Sequence, residues 1–224
     1  MTYTLLSAYN GKNDELIMPF LQRIITYTSL NNYNFKFCCS KNVNIQDKLK
    51  IISNELSKCD TEYLVWIDLD IFILDLHFKL ENITTEHNFI FSKDDNGLCA
   101  GFIIIKNDSY ARKVFDTLCF LNEIKPDVQI KESLQYGGFL TENGNKFDQN
   151  TYKTIFNYFN QFTNNVGLID DSIIQNPGSV FNKNAFAFHF WGIWYHPEKV
   201  NLITKQLLMD GYFNLYLWYN NSYT

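Results

Sequence analysis

Two carboxylates at the end of an apolar segment are the residues best suited to chemistry in this sequence. Residues 63–67 read YLVWI, and Asp68 and Asp70 follow directly, two positions apart. On a continuing strand such residues share a face, and the C-terminal edge of a parallel α/β sheet is where ligands bind. Paired carboxylates repel unless a cation joins them, and hard oxygen ligands suit Mg²⁺ or Mn²⁺. The pattern predicts a divalent metal site; the alternative is a turn in which each aspartate caps backbone amides.

Three strand–helix repeats in the first third of the chain position these carboxylates. Apolar residues cluster in three predicted strands and recur every three or four positions in two predicted helices. The strands are Tyr3–Tyr9, Phe35–Cys39 and Tyr63–Ile67, and the helices are Asn13–Leu30 and Ile45–Leu56. Such repeats favour an α/β fold with a mostly parallel central sheet flanked by helices.

The rest of the chain continues without a linker, repeat or charge block, so we expect a single domain. The further predicted elements are the strands Phe89–Phe91, Phe102–Ile105 and Ala185–His189 and the helices Ser109–Leu121, Asp148–Phe162 and Pro197–Leu208. Between them, residues 127–144 form a long irregular, glycine-rich stretch. In a compact domain such a stretch is more often functional than idle.

Composition and charge limit the classes of partner. The 224 residues are 46% hydrophobic and 19% charged, which is too apolar for disorder. With 19 Lys and Arg against 24 Asp and Glu, the net charge is −5, and no basic stripe is present to bind nucleic acid. Five cysteines without a CxxC pair indicate buried thiols in a reducing compartment. We expect neither a signal peptide nor a membrane span, and hence a soluble cytoplasmic protein.

Four sequence elements, in order, resemble those of the GT-A glycosyltransferases. WIDLD at 66–70 is similar to their DxD motif, and FSKDD…GLCAGFIIIKN at 91–107 is similar to their D…G…AGxhhhrN stretch, in which h is apolar. FDQ at 147–149 is similar to a DQ pair that opens a later helix, and FHFWG at 188–192 to a late HfxG element. The resemblance extends to Golgi-type galactosyl-, mannosyl- and xylosyltransferases and to small domains of large algal viruses.

This resemblance implies a Rossmann-like GT-A domain that holds a nucleotide-sugar diphosphate through Mn²⁺ or Mg²⁺. Asp70 would coordinate the metal directly, and Asp68 would bind the ribose, or the metal through water. His189 would be a further metal ligand or a diphosphate partner, with a core histidine between two phenylalanines as the alternative. The ion would stabilise the charge that develops on the leaving diphosphate.

The resemblance also implies contacts with the donor at the ends of strands. The implied donor-binding residues are Ser7, Tyr9, Asp68, Asp94, Asp95, Gly97 and Gly101. Tyr9 would stack on the base or belong to the core, and the loop aspartates would bind sugar hydroxyls or remain solvated. The two glycines would let the backbone approach the donor or acceptor closely, unless they form an ordinary turn between two strands.

Asp148 and Gln149 are the catalytic residues that the resemblance implies. In inverting relatives a carboxylate near this location is the general base that deprotonates the acceptor hydroxyl, whereas in retaining relatives the Asp-Gln pair positions sugars. At a helix start Asp148 is also an excellent N-cap. Glu142 and Asp127, in the glycine-rich stretch, are the reserve candidates for the base.

The implied function is metal-dependent transfer of a sugar from a nucleotide diphosphate sugar, a UDP-sugar by family frequency, to a hydroxyl of a glycan acceptor. Residues 1–107 would bind the donor and residues 108–224 the acceptor, and the aromatic tail at 211–219 would pack on the domain or form a homodimer. The lack of a membrane anchor favours a bacterial or viral protein. An aspartate-nucleophile phosphatase and a non-catalytic nucleotide-sugar-binding relative are the alternatives.

Overall fold

Strands and helices alternate along the computed structural model, which describes residues 1–9, 14–39, 47–94, 97–123, 165–175, 182 and 184–190. The strands are β1 Tyr3–Tyr9, β2 Asn34–Cys39, β3 Tyr63–Ile67, β4 Ile71–Ile73, β5 Phe89–Asp94, β6 Gly97–Lys106, β7 Val166–Ile169, β8 Ile174–Gln175 and β9 Ala187–His189. The helices are α1 Asp14–Asn31, α2 Lys48–Leu56 and α3 Ser109–Glu123, with a 3₁₀ turn at Leu80–Asn82.

The larger sheet has its described strands in the order β2-β1-β3-β6-β5-β7. β1 pairs in parallel with β2 and β3, and β5 pairs in parallel with β7. β6 runs antiparallel to both of its neighbours, β3 and β5. Five of these six strands therefore point the same way, and the predicted α/β fold with a mostly parallel central sheet is confirmed.

Helices cover both faces of this sheet because its central strands are apolar on both faces. On one side, called here the α1 face, Val65 and Ile67 of β3 pack with α1. On the other, the α2–α3 face, Leu64 and Trp66 pack with α2 and α3. Successive residues of a strand point to opposite faces, so an uninterrupted apolar run gives a strand that is buried on both faces.

The observed elements follow the predicted ones where the apolar signal is continuous. β1 and β3 have the predicted bounds, whereas α2 begins at Lys48, three residues later than predicted. β5 and β6 are longer than predicted because polar residues at the end of β5 and two glycines in β6 interrupt the apolar signal. The helices predicted at 148–162 and 197–208 and the glycine-rich stretch lie outside the described residues. No helix in the described part of the chain is long and apolar enough to cross a membrane.

β6 carries a bulge where it faces β5. Phe91 pairs with Ile103, but the next residue, Ser92, pairs with Cys99, so residues 100–102 have no partner in β5. Because the number of unpaired residues is odd, the alternation of side chains changes phase across the bulge. Ala100 and Ile103 are three positions apart and would lie on opposite faces of a regular strand, yet both pack on the α2–α3 face. Cys99 therefore points to the α1 face. Bulges of this kind re-aim side chains next to functional sites.

A smaller sheet lies on the α1 face, with its described strands in the order β4-β9-β8. β4 pairs antiparallel with β9, and Ile71 stands opposite His189. Arg23 of α1 holds β4 in place, since its guanidinium donates to the carbonyls of Ile73 (2.7 Å) and Leu74 (2.8 Å). This pairing brings a residue from late in the chain next to the end of β3.

Candidate metal site

The two predicted carboxylates lie in the tight turn that joins β3 to β4. The amide of Asp68 donates to the carbonyl of Gly101 (2.8 Å), and the amide of Ile71 donates to the carbonyl of Asp68 (3.1 Å). The side chain of Asp70 is only 10% exposed, whereas that of Asp68 is 33% exposed. β3 ends before these residues, so the turn, and not the alternation of a continuing strand, brings the carboxylates together.

His189 reaches these carboxylates from the smaller sheet. It is the last residue of β9, and the amide of the next residue, Phe190, donates to the carbonyl of Asp70 (2.8 Å). Nε2 of His189 lies 3.3 Å from Oδ1 of Asp70, and both side chains are buried. One ligand atom from each of Asp68, Asp70 and His189 lies within 4.8 Å of the others. The three residues are therefore close enough to share one ion.

The hydrogen bonding of a buried oxygen of Asp70 indicates whether these residues fit a metal. Within the described residues no aligned donor hydrogen-bonds to Oδ1 of Asp70, and the contact with His189 is an ion pair without hydrogen-bond geometry. Leaving a buried acceptor in this state costs free energy. A cation between the three side chains would satisfy it, and a donor set dominated by carboxylates suits Mn²⁺ or Mg²⁺. The residues present fit a divalent metal.

Without a cation, Asp70 and His189 form a buried ion pair. Burial by itself would raise the pKa of Asp70, but the attraction of His189, together with a backbone hydrogen bond and the charge of Lys48, holds this pKa below the ordinary value of 3.8. Burial by itself would lower the pKa of His189, but the carboxylate of Asp70 raises it well above the ordinary value of 6.5. Asp70 thus favours the protonated form of His189, and a metal ligand must be deprotonated, so a cation would have to displace this proton.

Gly101 provides the space that His189 occupies. A Cβ atom at position 101 would lie 2.4 Å from Cε1 and 2.9 Å from Nε2 of the imidazole, closer than real atoms approach. The close approach predicted at Gly101 is thus made by a side chain of the protein itself. A contact of Gly101 with the donor or acceptor stays a prediction.

Two side chains that sequence reasoning missed hold Asp68. Nε1 of Trp66 donates to Oδ1 of Asp68 at 2.5 Å. The ammonium of Lys48, which is buried, donates to the same oxygen at 3.2 Å and to the carbonyl of Ala100 at 2.6 Å, and it lies 5.0 Å from the centre of the Trp66 ring. Trp66 precedes Asp68 by two positions, a spacing that could have predicted this contact. The pattern of α2 does not distinguish Lys48 from exposed Lys50.

The end of β1 packs into the interior. Ser7 is fully buried, and its hydroxyl donates to the carbonyl of Ile67, which joins β1 to β3. Tyr9 is buried in one apolar cluster with Ile17 and Leu21 of α1. The burial of Tyr9 agrees with the core alternative, and Ser7 has a structural contact that the sequence did not suggest. Their predicted contacts with the donor stay predictions.

The remaining predicted residues lie at the β5–β6 tip or outside the described part of the chain. Asp94 ends β5 opposite Gly97, which begins β6. Gly97 and Gly101 therefore belong to a strand, and the alternative of an ordinary turn between two strands is wrong. The residues whose side chains lie outside the described part are Asp94, Asp95, Asp127, Glu142, Asp148 and Gln149.

Solved structures of glycosyltransferases share this architecture. A glycosyltransferase involved in the glycosylation of the major capsid of PBCV-1 matches with a TM-score of 0.69 at 15% identity, over 92% of this chain and 100% of that one. The chain has the GT-A fold. GlyE of Streptococcus pneumoniae matches with a TM-score of 0.56 at 12% identity, over 99% of this chain and 64% of its own. The galactosyltransferase LgtC, in complex with donor and acceptor sugar analogues, matches with a TM-score of 0.50 at 11% identity, over 90% of this chain and 95% of its own.

The GT-A fold places the recognised motifs in defined positions. WIDLD forms the end of β3 and the following turn, and the late HfxG element includes the end of β9. No protein-family model and no curated protein sequence matches the chain. The resemblance to GT-A glycosyltransferases is confirmed at the level of the fold.

Proposed function

We propose that this chain is a metal-dependent glycosyltransferase, which transfers a sugar from a nucleotide diphosphate sugar to a hydroxyl group of a glycan acceptor. The observation that carries the proposal is the group Asp68, Asp70 and His189, with ligand atoms within 4.8 Å of one another, at the end of a central strand of a GT-A fold. LgtC, which has a similar fold, binds donor and acceptor sugar analogues. We assign substrates of the same two classes to this chain.

Asp70 and His189 would hold Mn²⁺ or Mg²⁺ directly, and Asp68 would bind the metal through water or contact the ribose. When bound, the ion stabilises the negative charge that develops on the leaving diphosphate. The partial exposure of Asp68 supports its role toward the donor, because a third of its side chain stays exposed while Trp66 and Lys48 hold the carboxylate. Fixed ligands need little rearrangement when the ion binds.

The transfer breaks the bond between the anomeric carbon and a diphosphate oxygen, and it forms a bond from that carbon to the acceptor oxygen. The proton of the acceptor hydroxyl goes to a base, for which we propose Asp148 if the reaction inverts the anomeric carbon. If the reaction retains configuration, Asp148 and Gln149 would position sugars. We further propose a UDP-sugar as donor, with Asp94, Asp95 and Gly97 near its sugar; these assignments rest on the sequence.

The first test is thermal unfolding with UDP, GDP, CMP and dTDP, each with and without Mn²⁺. A ligand at a hundred times its Kd adds about 2.7 kcal/mol of stability, and each kcal/mol shifts Tm by about 2–4 °C in a chain of this length. We expect a rise of about 5–10 °C with one nucleotide, and only when Mn²⁺ is present. A protein that responds to no nucleotide, with or without Mn²⁺, contradicts the proposal.

Turnover distinguishes an enzyme from a binding relative. An active transferase releases sugar to water slowly in the absence of acceptor, so hydrolysis of the donor that binds should be detectable and should require Mn²⁺. Binding without any hydrolysis or transfer would favour the non-catalytic alternative. The fold argues against the phosphatase alternative, because the solved structures that it matches are glycosyltransferases.

Location and assembly stay predictions from the sequence. We propose a cytoplasmic protein of bacterial or viral origin and a homodimer formed through the aromatic tail at 211–219, which lies outside the described residues. Cell fractionation and light scattering test these two proposals. Division of the chain into a donor half at 1–107 and an acceptor half at 108–224 is tested by mapping which residues each substrate protects.

A further inference from the structure

Three neighbours determine the orientation of the His189 ring. Nε2 faces Oδ1 of Asp70 at 3.3 Å, and the backbone of Gly101 lies against Cε1, where no side chain would fit. The third neighbour is Cys99, whose Sγ lies 3.6 Å from Nδ1 of His189, within the range of a hydrogen bond to sulfur. The two ring nitrogens thus have different partners: a carboxylate that belongs to the candidate metal site and a thiol that does not.

The difference between the two nitrogens matters because an imidazole ligates a metal through one nitrogen and carries its proton on the other. For Nε2 to face the cation beside Asp70, the proton must reside on Nδ1. A hydrogen-bond acceptor at Nδ1 favours this tautomer and holds the ring against rotation, as the partners of metal-binding histidines generally do. Among the described residues, the atom in that position is the sulfur of Cys99.

We propose that Cys99 is a positioning residue, which accepts a hydrogen bond from Nδ1–H of His189 and so presents Nε2 to the metal. This inference rests on the proposed function, because it assigns a role to the thiol only if His189 binds a cation. Cys99 acts through His189 and does not itself ligate the ion.

The surroundings of Cys99 suit a fixed acceptor. The residue is buried, it pairs with Ser92 of β5, and the hydroxyl of Ser92 donates to its carbonyl (3.2 Å). The bulge at residues 100–102 directs its side chain to the α1 face, on which β9 and His189 lie. Without the bulge, Cys99 would share the α2–α3 face with Ile103 and would point away from His189.

Two substitutions of Cys99 separate its hydrogen bond from its volume. Cys99→Val keeps an apolar group of similar size and removes the acceptor, whereas Cys99→Ser keeps an acceptor. Cys59→Val is the matched control, since Cys59 is also buried and its Sγ accepts a hydrogen bond, from Asn107 (3.3 Å), at the opposite end of β3. Each protein is titrated with Mn²⁺, and pulsed EPR measures the coupling of the bound ion to a directly ligated nitrogen.

We expect Cys99→Val to weaken Mn²⁺ binding by about 10–100-fold and to reduce the nitrogen coupling. Cys99→Ser should lie closer to the wild type, and Cys59→Val should bind Mn²⁺ as the wild type does. If Cys99→Val keeps wild-type affinity and coupling while Asp70→Asn loses both, the inference about Cys99 is wrong and the proposed function stands. If the wild type binds no Mn²⁺ with or without UDP, both the proposed function and this inference are wrong.

Discussion

Replacing Gly101 with alanine tests whether His189 is a metal ligand without changing any ligand atom. The new Cβ would lie 2.4 Å from Cε1 of His189, and ordinary contact begins at 3.4 Å, so the ring must move by 3.4 − 2.4 = 1.0 Å. The backbone of Gly101 is not in the left-handed region, so alanine introduces no strain in the main chain. Overpacking of this kind costs about 1–3 kcal/mol of stability, which a domain of this size can tolerate.

A shift of this size is large for a metal site, which requires its ligands within a few tenths of an ångström. We therefore expect Gly101→Ala to remain folded, with a Tm lowered by several degrees, and to bind Mn²⁺ about 10–100-fold more weakly than the wild type. Circular dichroism measures the fold and Tm, and Mn²⁺ titration followed by EPR measures the affinity.

Gly167→Ala is the matched control, because a Cβ there would lie 2.8 Å from Cδ2 of His87, a histidine outside the candidate site. It should lower Tm and leave the Mn²⁺ affinity unchanged. In addition, the stability lost in Gly101→Ala should be regained in a His189→Ala background, because the obstacle is removed. A Gly101→Ala protein that is destabilised yet binds Mn²⁺ like the wild type would refute the assignment of His189 as a ligand.

Three further predictions follow from the same site. Asp70→Asn should keep the fold but lower Mn²⁺-dependent donor hydrolysis by about 100-fold or more; collapse of the fold would instead favour the capping role. In EDTA, the advantage of the wild type over Asp70→Asn in urea unfolding should peak between about pH 5 and 6. It should vanish as pH falls through the lowered pKa of Asp70, below 3.8, and as pH rises through the raised pKa of His189, above 6.5. Trp66→Phe should weaken Mn²⁺-dependent UDP binding by about tenfold in calorimetric titrations, with no complete loss because Lys48 still contacts Asp68; unchanged binding would exclude a role for the indole.

The parts of the fold that sequence predicted are those with continuous apolar signals. β3 is buried at all five positions and has the predicted bounds, since such a run admits few other structures. Asp68 and Asp70 could be recognised as candidate metal ligands because they follow β3 closely. The reason given for their convergence was wrong, however, because the chain turns after Ile67, and alternation along a strand carries no information about a tight turn.

Contacts between distant segments could not be predicted from periodicity. His189 meets Asp70 because β4 and β9 pair with a particular register, and only the resemblance to a family suggested that they would meet. Lys48 resembled a surface residue because a charged residue in the first turn of an amphipathic helix is usually solvated. Gly101 was expected to face a ligand, since the sequence did not reveal that an imidazole occupies the space beside it.

The bulge in β6 also gives this protein a place where its length can change during evolution. Deleting one of residues 100–102 would leave two residues without partners, an even number, and would restore the regular alternation of the strand. Cys99 would then stand three positions from Ile103, on the opposite face of the sheet, so its side chain would still point to His189. Relatives that keep Gly101 can therefore differ by one residue in the bulge, because the pairing of Cys99 with Ser92 and the face of its side chain are both kept.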